Sequence, residues 1–202
     1  MRVLRAIGLS VVLAGCASQS AITEEAGATA AQAAPAPQPA AAATPAPAPP
    51  PPCSTDEYHD FDFWIGEWDV FGPNGAQAGI NSIQPAESGC LLIEHWTNTG
   101  GGTGQSYNFY DPGIGKWRQL WVSAGAVIDY AGGLTETGSM LLEGEIRYHG
   151  AGGTANFTGE WTPNEDGSVT QHFRQQNAET GDWSDWFIGT YVRKADEATD
   201  VE

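Results

Sequence analysis

The chain has 202 residues, a net charge of −17 and three cysteines. Eight lysines and arginines stand against 25 aspartates and glutamates, with no basic patch or stripe. That balance excludes nucleic-acid binding and disfavours direct adhesion to anionic lipid, and it leaves the acidic surface as a source of solubility.

Residues 1–16, MRVLRAIGLSVVLAGC, carry Arg2 and Arg5, then a short apolar run, then Leu13-Ala14-Gly15-Cys16. The run is too short to span a bilayer as a helix, and the pattern predicts a secretory signal ending in a lipobox. Cys16 is then the lipidated N-terminus of the mature chain and its contact with the membrane. An ordinary cleaved signal with an incidental cysteine is the alternative. By resemblance to bacterial lipoproteins, Ala17-Ser18 after the cysteine, with no aspartate, implies the outer membrane and a periplasm-facing or surface domain. Residues 17–52 are Ala- and Pro-rich and predict a spacer in extended polyproline conformation, with a proline-motif ligand as the other reading. Residues 53–195 are long enough for one domain with one core. Residues 196–202 are an acidic tail.

Lipidation consumes Cys16, which leaves Cys53 and Cys90 as a pair in an oxidising compartment. A disulfide between them is expected, pinning the start of the domain to the strand that follows. No His/Asp cluster accompanies them, so no metal site is expected, and no motif predicts a cofactor.

Helix signals are almost absent after residue 65. Short alternating runs predict strands near 66–72, 77–85, 90–98, 104–110, 116–123, 126–131, 138–148, 154–162, 168–177 and 184–194. GPNG, AESG, DPGIG and NEDG between them carry the chemistry of tight turns. Consecutive strands with short loops and no crossover helices predict an all-β, up-and-down antiparallel β-barrel of about ten strands, with a β-sandwich as the alternative.

FDFWIGEWDV, residues 61–70, places an aromatic turn before Gly66-Glu67-Trp68, and Tyr191-Val192-Arg193 closes the last strand. This pairing resembles the lipocalin and calycin signature. The resemblance implies that Trp68 fills the barrel floor and that Arg193 packs over it. FDFWIGEWDV, GCLLIEHW, GQSYNFYDPGIGKWRQLWVS, GSVTQHF and GTYVRK together resemble a family of uncharacterised bacterial secreted proteins, DUF1579, over nearly all of 53–195. That likeness implies a calycin-like fold and leaves the activity open. The chain departs from the family where an aspartate often follows Trp-x-Gln-x-Trp; here Trp121 is followed by Val122-Ser123.

Strand alternation assigns the inward faces. Trp117, Gln119 and Trp121 point in when Arg118 points out, and Gln171 and Phe173 point in when His172 and Arg174 point out. Hydropathy alone sends Tyr107 and Phe109 inward, whereas the spacing of the family-like motifs selects Glu94, Trp96, Ser106, Asn108 and Tyr110. With that phase, a small, partly apolar, ring-containing molecule is the expected ligand. An enzyme using Glu94 as general acid or base and a structural envelope protein with a filled barrel are the alternatives. No catalytic residue is assigned, because nucleophile and metalloprotease motifs are missing. Haem, held by a histidine on the last strand in the similar nitrobindin barrels, has no such residue in DWFIGTYVRK.

Overall fold

The computed structural model describes residues 48–150 and 152–195. The expected signal, Cys16, most of the spacer and the acidic tail lie outside them. Two short 3₁₀ turns, Asp56–Tyr58 and Asp62–Trp64, precede ten strands. The strands are β1 (Gly66–Phe71), β2 (Gln77–Ala86), β3 (Leu91–Asn98), β4 (Thr103–Asp111) and β5 (Lys116–Ser123). They continue as β6 (Ala126–Leu134), β7 (Met140–Tyr148), β8 (Thr154–Pro163), β9 (Val169–Gln176) and β10 (Trp183–Arg193). Each pairs antiparallel with the next, and β10 closes on β1 through Trp68 opposite Arg193 and Val70 opposite Tyr191. The fold is a closed up-and-down barrel, so the two-sheet alternative is set aside and no strand edge is left unpaired.

The largest boundary difference from the sequence reading is in β6: a strand is expected near 126–131, yet β6 runs on through Gly132-Gly133 to Leu134. Gly132 stays in register, opposite Trp117 and Leu142. A side chain there is excluded, because a Cβ would stand 1.9 Å from the Leu141 carbonyl oxygen.

The start of β1 defines a closed end, which the segment before it covers. Phe61 stacks on Trp64 at 4.9 Å and meets Trp117 and Trp161 edge-on at 5.6 and 5.2 Å. Phe61, Trp64, Trp68 and Trp161 are all fully buried. Aromatic edge-to-face contacts of this kind add to the burial of their apolar area. Trp68 Nε1 donates to the Trp64 carbonyl at 2.9 Å. The Arg193 guanidinium lies 4.3 Å from the centre of the Trp68 indole, and its Nη1 donates to the Ile65 carbonyl at 2.9 Å. Gly66 is required beneath it. Its φ is +145°, and a Cβ would come within 2.5 Å of Arg193 Nη1. Cys53 and Cys90 are joined, with Cα atoms 5.2 Å apart, so the covering segment is fastened to the start of β3.

Candidate functional site

The other end of the barrel is open. A cavity of about 270 Å³ enters there, near the lower limit of the few-hundred Å³ typical of small-molecule sites. Its walls are Trp96 from β3, Trp121 from β5, Ile128 from β6, Phe173 from β9, and Trp186 and Phe187 from β10. Ala78 and Asn98 lie at the rim end of their strands, while Glu94, Gln119, Gln171 and Tyr191 carry its polar atoms.

The cavity exists because two indoles lie flat on the sheet. Gly104 pairs with Ser123 on one side and Trp96 on the other, and a Cβ on it would stand 2.1 Å from the Trp121 ring. Gly79 serves Trp96 in the same way, at 2.7 Å. A larger residue at either place would push the ring off the wall and into the open space.

Glu94 is 3% exposed, the one acidic side chain in the cavity lining. Its Oε1 accepts from Asn81 Nδ2 at 2.7 Å and its Oε2 from Ser106 Oγ at 2.5 Å. Behind Ser106 the donors continue in one direction. Tyr130 donates its hydroxyl to Gln119 Oε1, Gln119 donates to Asn108 Oδ1, and Asn108 donates to Ser106 Oγ. On the other side, Asn81 Nδ2 also reaches the Tyr191 hydroxyl, which donates to Gln171 Oε1 at 2.9 Å. Every bond that reaches Glu94 is thus a donor aimed at a carboxylate, which favours its ionised form. Burial works against that form and is the larger influence, so the carboxyl is pushed up to about 7. Burial likewise raises the phenols of Tyr130 and Tyr191, with the Glu94 charge adding to it, so both stay neutral.

The predicted residues divide into three groups. Glu94, Trp96, Gln119, Trp121, Gln171 and Phe173 line the cavity. Ser106 and Asn108 face inward and are fully buried, but they form the layer that supports Glu94 and do not line the space. Tyr110 and Trp117 belong to the closed end. Tyr110 meets Tyr58 edge-on at 5.1 Å, and Trp117 Nε1 donates to the Glu57 carbonyl. Both sit at the far ends of their strands, where the 3₁₀ turns fill the barrel. Tyr107, which hydropathy sends inward, is 51% exposed on the outer face.

No family model matches this chain, and no curated protein matches it in sequence. Five residues of the site, Ala78, Asn81, Ile128, Tyr130 and Trp186, escape the sequence reading, whereas the phase set by Arg193 already sends Phe187 and Tyr191 inward. Asn81 faces inward on β2, where Ile80 outside and Ile83 inside blur the alternation, and Ala78 reaches the cavity because the β1–β2 register shifts beside it, between Val70 and Phe71. Trp186 and Phe187 both reach the cavity because the β9–β10 register shifts between Asp185 and Phe187. Trp186 Nε1 then donates to the Tyr148 hydroxyl across the rim at 2.9 Å. A histidine for haem is not among the lining residues; His172 points outward and meets Asp185 at 2.7 Å.

Proposed function

We propose that this chain is a lipid-anchored binding protein of the cell envelope whose barrel holds a small, partly apolar, ring-containing molecule. The reading includes the anchor on Cys16, a periplasm-facing or surface domain, and kinship with the calycin-like secreted family DUF1579. One observation carries it: an open cavity with flat aromatic walls and a few convergent polar groups at its base, the general form of a small-molecule site. The open half speaks against a barrel that is filled throughout.

The test is a native mass spectrum of the mature protein extracted from the envelope, compared with its denatured spectrum. The expected result is an added mass that leaves on unfolding and is reduced in Gly104→Ala, where the Trp121 ring is forced into the space. A bare polypeptide mass in both, together with no shift of indole fluorescence on adding small aromatic compounds, overturns the reading.

A second reading is favoured by the position of Glu94. A carboxyl that titrates near 7 inside a cavity suits general acid–base work on a bound molecule. It predicts that the captured molecule is converted and that Glu94→Gln stops the conversion while capture continues.

A further inference from the structure

Glu94 has no cation of its own. No lysine, arginine or histidine lines the cavity, and among the described residues the salt bridges all lie elsewhere. Buried charges in proteins are normally paired or bound to a metal. A carboxylate offers about four acceptor sites, and the hydrogen bonds from Asn81 and Ser106 fill two of them. The remaining capacity belongs to a group that lines open space. The titratable neighbours facing Glu94 are Tyr130 from β6 and Tyr191 from β10, neither of which carries charge near neutrality. From β2, β4, β5 and β9 the facing groups are the neutral Asn81, Ser106, Gln119 and Gln171.

Above the carboxylate stand Trp96, Trp121, Phe173 and Phe187, with Trp96 and Phe187 meeting at 6.3 Å in an edge-to-face pair. Aromatic faces attract cations, indole most strongly. The chain's net charge of −17 adds a long-range field that draws cations and repels anions.

Resting on the reading that the open cavity is the ligand site, we propose that its ligand is an organic cation: a protonated amine carried on a small ring or apolar body. The ammonium meets the free acceptor sites of Glu94, and the apolar part lies between the indoles. The amine supplies the missing partner of the buried carboxylate, so binding favours ionised Glu94. When the free protein holds Glu94 protonated, the proton leaves to solvent as the cation enters, and charge balances.

The experiment titrates the mature protein with three probes of one shape: phenethylamine, 2-phenylethanol and phenylacetate. Binding is followed by indole fluorescence and by calorimetry in two buffers of different ionisation enthalpy. At pH 8 phenethylamine is expected to bind at least tenfold more tightly than 2-phenylethanol, with phenylacetate weakest. Its affinity is expected to fall as pH drops from 8 to 6, with net proton release near pH 7 and below. In Glu94→Gln the ratio of amine to alcohol affinity is expected to fall to near one, and an unchanged circular dichroism spectrum separates loss of charge recognition from loss of folding. Binding of all three probes without preference for the amine overturns the charge inference and leaves the cavity reading standing. No binding of any probe at millimolar concentration overturns both.

Discussion

The two ends of the barrel draw on the same residue types and reach opposite results. At the closed end Phe61, Trp64, Trp117 and Trp161 meet at 4.9–5.6 Å and leave no room. At the open end Trp96, Trp121 and Phe187 surround a cavity of about 270 Å³. The difference is the chain that precedes β1. It delivers Phe61 and Trp64 as a plug to one end, whereas among the described residues the other end carries only the hairpins that join neighbouring strands. At that open end Gly79 and Gly104 hold the indoles against the wall. Aromatic composition therefore says how much ring area is available, and the plug and the glycines decide whether it becomes core or pocket.

Stability measurements can break this comparison. Trp161→Ala at the closed end is expected to cost about 3–5 kcal/mol, as a large buried ring leaving a cavity does. Trp121→Ala at the open end is expected to cost about 1 kcal/mol or less, because its ring is half-buried beside existing space. Equal shifts in urea midpoint for the two would remove the distinction. Replacing Cys53 and Cys90 together by Ser is expected to cost about 2–4 kcal/mol, since a 37-residue separation is closed by that bond. Fluorescence of the open-end indoles should be unchanged in the folded variant, and an altered signal would mean that the plug also shapes the cavity.

The carboxyl at the base of the cavity gives a comparison in pH. Its folded value is about 7 against an ordinary 4.5, so in that window the folded state binds more proton than the unfolded one. Stability contributed by neutral Glu94 is full below about 4.5, falls as pH rises, and is lost above about 7. The whole swing is at most about 3 kcal/mol. Glu94→Gln should lack this component and gain on the parent protein at pH 8, measured as the difference between their stability–pH curves; parallel curves would refute it. Arg193→Ala is expected to cost about 0.5–1 kcal/mol, from loss of the stacked guanidinium at an exposed position. It should fall on the melting of the closed end and leave probe binding at the open end intact.

The hairpin pattern is open to reading because alternating runs end at turn residues such as Asp166-Gly167, and each strand pairs with the one that follows it. The polar interior of β3 and β4 was harder. Tyr107 and Phe109 are the more apolar face of β4, yet Ser106 and Asn108 go in because they hold Glu94 across the sheet. The spacing of the family-like motifs selects that face, and hydropathy contradicts it. Tyr110 and Trp117 were assigned to the right face but the wrong end. Alternation fixes which way a side chain points and says nothing about how far up the barrel the plug reaches. Trp186 was beyond alternation altogether, because a bulge places it and Phe187 on the same space.

The fastening of Cys53 to Cys90 has a directional consequence. Cys90 directly precedes β3 at the closed end, and β10 finishes there too, with Arg193 over Trp68. The described chain thus arrives and departs through the same pole. Among the described residues, Cys53 and Arg193 both lie at the pole opposite the mouth, so the opening is left free of both ends of the folded segment.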